Sequence, residues 1–214
     1  MNPRKKPKPV RSYRGESGEQ RRAARRERLL EAGLRCFGSR GYRVTTVREL
    51  CAEAGLTERY FYESFANREA LFEAVYQAAY QPMQASIRAA MQQEPHGSLE
   101  RGRAGLHAFF AFLHANRLAA RVLLIEILEV GGGASEQWER TVADSVALLA
   151  PVAADAFAPA RHPELDWDTL TAGLIGANIF MATRWIRDDF RIPVDAVVDT
   201  CMALYQSLAD RLAL

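Results

Sequence analysis

The sequence predicts an all-α protein: a small three-helix unit at the N-terminus followed by a larger helical body. Three observations predict it. Apolar residues recur at helical spacing through nearly everything after residue 18. No stretch alternates apolar and polar residues long enough to argue a strand. Charge divides sharply along the chain: residues 1–68 hold 17 arginines and lysines against 8 glutamates, a balance of +9, whereas residues 69–214 carry −7.

The first helix is expected from about Glu19 to Ser39, with Leu30, Leu34 and Phe37 as its inward stripe and Gly41 just past its end. The second begins at Thr45 or Thr46, where Thr46-Val-Arg-Glu49 fits a capping box, and buries Val47, Leu50, Cys51 and Ala54 before Gly55 stops it. Thr57 is placed to cap a third, very short helix reaching Ser64 or Phe65. Asn67 is placed to cap a fourth that Gln81-Pro82 should break. Further helices are expected at about 82–93, 99–115, 117–129, 135–157, 167–188 and 194–212, with Gly131 to Gly133 and Pro159 to Pro163 as loops. The units divide as a tail at 1–18, a first domain at 19–68 and a second at 69–214, with no Gly-, Ser- or Pro-rich linker between the last two.

Composition narrows the function. With 49% hydrophobic and 25% charged residues, the 214-residue chain has apolar surface enough to fold. Its longest uncharged run, 169–183, is shorter than the roughly 20 residues a membrane helix needs. No membrane span is expected. No apolar segment follows the basic start, which argues against a secretory signal and for the cytoplasm. Cys36, Cys51 and Cys201 lie in neither metal nor disulfide spacing and read as small core residues. His107 and His114 are two turns apart, too far to share one metal unaided, so no metal and no cofactor are expected. Phosphate-cradling loops, nucleophile elbows and dinucleotide fingerprints are also missing, which speaks against an enzyme. A basic small unit joined to an acidic large one instead suggests a polyanion partner for the first. The Pro-rich tail, with Arg4 to Lys8, is either a phosphate or minor-groove arm or a solubilising run.

Two short helices joined by Gly55-Leu56-Thr57 and braced by a longer one match a helix-turn-helix, whose second helix reads the major groove of DNA. Leu56, Phe61 and Phe65 are expected inward. Glu58, Arg59 and Tyr60 are then left to face bases, Arg59 as a bidentate partner of guanine and Tyr60 by ring contact with a thymine methyl or its hydroxyl on a phosphate. Glu58 is more readily a first-turn acid complementing the helix dipole than a cytosine reader. Thr46, Tyr62, Ser64 and Arg68 are candidates for phosphates.

The run Leu29-Leu-Glu-Ala-Gly-Leu-Arg-Cys-Phe-Gly-Ser-Arg-Gly-Tyr-Arg-Val-Thr-Thr-Val-Arg-Glu-Leu-Cys-Ala-Glu-Ala-Gly-Leu-Thr-Glu-Arg-Tyr-Phe-Tyr-Glu-Ser-Phe-Ala-Asn-Arg-Glu-Ala-Leu71 resembles the DNA-binding region of the TetR family of bacterial transcriptional regulators. It sets Gly41, Thr45, Thr46, Gly55, Tyr62, Phe65 and Leu71 at the family's spacings over about a fifth of the chain. The resemblance implies phosphate contacts at Thr46, Tyr62, Ser64 and Arg68 and base-facing side chains at Glu58, Arg59 and Tyr60. Arg59 and Tyr60 stand where members commonly have small residues, and Ser64 where a His or Tyr is frequent.

In the body, the last helix carries two adjacent stripes: Val197, Cys201, Leu204 and Leu208, and Val198, Met202, Tyr205 and Leu212. One stripe joins the helix to its own body, and a second invites a partner. Gly173, Gly176 and Phe180 on the preceding helix permit close approach. A two-fold homodimer through a four-helix bundle of these segments is therefore expected, as the resemblance also implies. A ligand pocket is expected among helices 99–115, 117–129 and 167–188, lined by Phe110, Glu126, Asn178, Met181 and Trp185, because a polar group inside an apolar helix wants a partner.

The leading expectation is a ligand-responsive repressor that binds a palindromic operator as a dimer and is released by a small hydrophobic inducer. A DNA-bound protein-interaction factor without an inducer is the alternative, and a solid core would favour it.

Overall fold

The computed structural model describes residues 17–94, 99–130, 133–157 and 162–213, with the side chains of 133–138, 152–156 and 213 outside that description. The tail cluster Arg4 to Lys8, the glycines at 131 and 132 and residues 159–161 of the expected Pro159 to Pro163 loop lie outside the described residues. Among the described residues there are nine α-helices, one 3-10 turn and no strand.

Helix α1, Gly18–Arg40, starts at a capping box in which Ser17 accepts from the Gln20 amide and the Gln20 side chain accepts from the Ser17 amide. Helix α2, Val47–Ala54, starts at the expected Thr46 and Glu49 box. Helix α3, Glu58–Ser64, and α4, Arg68–Gln92, follow, the latter capped by Asn67. The body continues with α5, Leu99–Ala115, α6, Arg117–Leu124, and a 3-10 turn at Glu126–Glu129. It ends with α7, Gly133–Phe157, α8, Trp167–Arg187, and α9, Val194–Ala213.

Three expectations are corrected. Residues 82–93 form no helix of their own: Pro82 sits inside α4. Proline removes one amide from the ladder and leaves the carbonyl four residues back without its donor, but Ala78 and Pro82 both lie on the exposed side of α4, so that carbonyl is not sealed in the core. The segment 117–129 is not one α-helix, because it tightens after Leu124 and carries the Glu126 carboxylate back to the first unit. The inward face of α1 is Leu29, Ala32, Gly33, Cys36, Phe37 and Gly38, while Leu30 and Leu34 are only half-buried.

The units share one core. Phe37, Tyr42 and Phe72 form an aromatic triangle with ring centroids 5.2 to 5.6 Å apart. Helix α1 crosses α6 so closely that a methyl on Gly38 would lie 2.7 Å from the Leu118 carbonyl oxygen. Beside that crossing, buried Glu126 accepts from the Tyr42 amide at 2.7 Å and pairs with Arg121 at 3.3 Å. Truncating Glu126→Ala should lower stability by about 2 kcal/mol, since the Tyr42 N–H loses its acceptor in a dry place. Glu126→Gln keeps an acceptor and should lose less. Equal urea midpoints for the two variants would refute this account of the junction.

No single helix among the described residues is long and apolar enough to cross a membrane. All three cysteines are free and buried, and burial pushes the Cys201 thiol up to about 11.

Candidate nucleic-acid interface and ligand cavity

Helix α3 has seven residues, too short to stand alone, and is held by what surrounds it. Gly55 takes φ +61°, the left-handed turn that glycine adopts without strain. Arg28 of α1 clamps this turn by donating to the Ala54 carbonyl at 2.5 Å and the Gly55 carbonyl at 3.1 Å. Phe61 is fully buried and Phe65 nearly so, which rotates Glu58, Arg59, Tyr60 and Tyr62 outward.

The seven expected DNA contacts divide into two groups. Glu58 and Arg59 are exposed, Tyr60 is 37% and Tyr62 57% exposed, and all four are displayed on one short helix. The others bond back to the protein's own backbone or caps. Thr46 is exposed, but its hydroxyl donates to Glu49 at 2.9 Å, and the Thr46 amide, which donates to the same carboxylate at 2.8 Å, together with that hydroxyl holds the Glu49 carboxyl below its usual range. The Ser64 hydroxyl donates to the Tyr60 carbonyl at 3.1 Å. Arg68 donates to the Thr45 carbonyl at 2.5 Å and lays its guanidinium 4.2 Å from the Tyr42 ring centre, so it braces the turn before α2. Missed by sequence reasoning were Arg22 and Arg25 of α1, which reach across to α3. Their spacing on an arginine-rich helix gave no sign of which arginines turn toward the reader.

A cavity of about 150 Å³ opens in the body, walled by α4 to α9. Met83, Ile87, Leu106, Phe109, Leu123, Leu148, Leu174 and Ile175 make it mainly apolar. Its polar groups form two clusters. In one, Tyr76 donates to the Thr141 hydroxyl at 3.1 Å, Ser145 donates to the Thr141 carbonyl at 2.8 Å, and Gln84 donates to the Tyr80 hydroxyl. In the other, Asn178 donates to the Tyr205 hydroxyl. Burial pushes both Tyr76 and Tyr205 up to about 12, so these phenols are uncharged at neutral pH.

Of the expected pocket residues, Asn178 lines this cavity and the other four do not. Glu126 is spent on the junction with Tyr42. Phe110 and Trp185 pack ring to ring at 5.6 Å behind the wall, with the Trp185 indole N–H donating to the Ile192 carbonyl at 2.8 Å. Met181 takes a contact from the Cys201 thiol at 3.8 Å. Periodicity marked these side chains as buried without telling which buried face borders a void. The walls contributed by α4, α7 and α9 were not foreseen.

Residues 29–75 match the family model described as bacterial regulatory proteins, tetR family. That segment, the helix-turn-helix and the start of α4, is thus similar to the DNA-binding region of the TetR family. Over 179 residues the chain is 24% identical to the HTH-type transcriptional activator FasR of Mycolicibacterium smegmatis, covering 83% of this chain and 80% of FasR. Among solved structures it is similar to the fatty acid degradation regulator FadR of Bacillus halodurans, with a TM-score of 0.73 and 18% identity over 89% of this chain and 96% of that one. It is also similar to FadR of Bacillus subtilis, solved in complex with stearoyl-CoA, with a TM-score of 0.72 and 14% identity over 83% and 96% of the two chains. At these identities the two structures establish the shared fold, an N-terminal helix-turn-helix under a larger helical domain.

The residues expected at a TetR-type dimer interface fall on two faces. Gly173 and Gly176 are exposed with nothing within 4 Å of an added methyl, Phe180 is 70% exposed and Leu204 is 51% exposed, so α8 and α9 do present an uncovered apolar strip. Leu208 is half-buried. Val197 and Cys201 are instead buried in the chain's own core, and Tyr205 faces the cavity. Both stripes on α9 turn toward the chain's own body at Val197, Val198, Cys201 and Met202, and Leu204 is the exposed member.

Proposed function

We propose that this chain is a TetR-family regulator that binds a palindromic operator as a homodimer, represses by occupying it, and leaves when a hydrophobic molecule enters the cavity. The observation that carries the reading is the course of α4. Only three residues separate it from the end of α3, and it sends Tyr76 and Tyr80 into the cavity wall. Whatever displaces those phenols from Thr141 bears on the helix that seats the reader.

The exposed Glu58, Arg59, Tyr60 and Tyr62 support a role against base edges, with Thr46 and the helix N-termini available to phosphates. The uncovered strip at Gly173, Gly176, Phe180 and Leu204 supports a two-fold partner, which would set two readers at a fixed separation. A long apolar chain ending in an uncharged hydrogen-bonding group suits the described wall, and the stearoyl-CoA bound by one neighbour makes acyl thioesters the first ligands to try. A void of 150 Å³ compares with an engineered cavity that takes benzene, so an acyl chain has to part the helices to enter. That widening would couple ligand to DNA. The open cavity also weighs against the alternative of a DNA-bound interaction factor without an inducer, and the regulatory relatives weigh against an enzyme.

The test has two steps. Duplexes are selected from random DNA with the purified chain and should show inverted half-sites one helical turn apart or a multiple of it. Stearoyl-CoA, stearic acid and stearyl alcohol are then titrated into the protein-duplex complex. Ligand and operator should oppose each other by equal factors, whichever is added first. Ligands that bind without changing operator affinity would defeat the ligand-responsive reading, and ligand-tightened binding would reverse the sign to activation.

A further inference from the structure

Glu63 stands between two arginines at the edge of the reading face. Its Oε1 lies 3.2 Å from Nε of Arg59, and its Oε2 lies 3.6 Å from an Nη of Arg25. Arg22 adds a third hold by donating to the Glu63 carbonyl at 2.8 Å. Arg25 in turn lays its guanidinium 4.5 Å from the centre of the Tyr60 ring. A single carboxylate therefore orients Arg59 directly and Tyr60 through Arg25, the two side chains best suited to reading bases.

A free arginine on a DNA-facing helix takes the nearest phosphate whatever the sequence, and such contacts dominate non-specific binding. An arginine already held by a carboxylate gains less from a phosphate, because one ion pair is exchanged for another. Guanine offers two acceptors in a fork that matches the guanidinium, so a planar, pre-oriented Arg59 loses less freedom there than elsewhere. We propose that Glu63 is a specificity-determining positioning residue, which holds Arg59 and Tyr60 in their reading orientation and withholds Arg25 and Arg59 from the phosphates of non-operator DNA. The inference rests on the DNA-binding reading above.

The full-length chain and its Glu63→Gln variant are titrated with two duplexes of equal length, one selected by the wild type and one of random sequence, across a range of salt. Each released arginine should steepen the log–log salt slope on random duplex by about 1 and tighten its binding about tenfold near 0.1 M salt. The ratio of selected to random affinity should fall by about the same factor. Glu27→Gln, which removes an exposed carboxylate of α1, should move the ratio far less. Glu63→Asp keeps the charge and should retain most of the ratio. In an Arg25→Gln, Arg59→Gln background, Glu63→Gln should change little, since its partners are gone. Weakened binding to both duplexes with a lowered urea midpoint would mean a purely structural role and overturn the inference, as would an unchanged ratio or an equal effect of Glu27→Gln. A wild type that binds no duplex would overturn the DNA-binding reading itself.

Discussion

Phe61→Ala is expected to remove about 4 kcal/mol of stability, within the range of 3–5 for emptying a buried aromatic site, and to abolish selective duplex binding. Phe61 is the one fully buried side chain of α3, set edge-on to Tyr62 at 5.2 Å and beside Phe65 at 6.2 Å. A helix of seven residues has no stability of its own, so the anchor that seats it also orients everything it displays. Urea unfolding and duplex titration measure the two effects. Phe61→Leu refills most of the volume and should recover most of both. Tyr62→Ala, on the exposed side of the same helix, should leave the urea midpoint nearly unchanged. A Phe61→Ala protein as stable as the wild type would remove the physical basis assigned here to the reader.

Gly38→Ala is expected to cost about 3 kcal/mol, at the upper end of what overpacking usually does. The added methyl meets the Leu118 carbonyl oxygen at 2.7 Å, its Cβ at 2.8 Å and its Cα at 2.9 Å. Two of these are backbone atoms of α6, which cannot swing aside as a side-chain tip can. Helices α1 and α6 must separate instead, and the Glu126 anchor to Tyr42 lies at the same junction. Gly173→Ala is the opposite case, since nothing lies within 4 Å and a helix interior prefers alanine by about 1 kcal/mol. In dilute protein it should be neutral or stabilising. Equal losses at the two positions would show that helix approach is not what fixes Gly38.

This contrast explains much of what the sequence did and did not disclose. Most caps were legible because their chemistry is local: Thr46, Gly55 and Asn67 each do in the structure what their side chains or backbone favour, whereas the expected cap Thr57 precedes α3 without a side-chain bond to its amides. The outward face of α3 was legible because Phe61 and Phe65 fix its rotation. The buried face of α1 was legible in part: Phe37 is fully buried and Leu30 and Leu34 pack half-buried against the core, but hydropathy gives no weight to Gly33 and Gly38, which are buried for being small. Pro82 misled for the converse reason, since its effect on a helix depends on which side faces water, and that is set by the tertiary fold. The cavity was half legible. A polar Asn178 among apolar neighbours pointed to it, whereas Tyr76, Tyr80 and Thr141 meet across 61 to 65 residues of chain, a separation no periodicity reports.

The α4 helix also bears on how such a protein can be taken apart. From Arg68 to Tyr80 it rises about 18 Å without a flexible joint, and on the way it buries Leu71, Phe72 and Val75, with Leu71 and Val75 packed around Gly33 of α1. Severing the chain near residue 66 would strip those side chains from α1 and leave a greasy wound on both pieces. The head is therefore no portable cartridge, and any chimera meant to give it a new sensor has to carry the first three turns of α4 along with it.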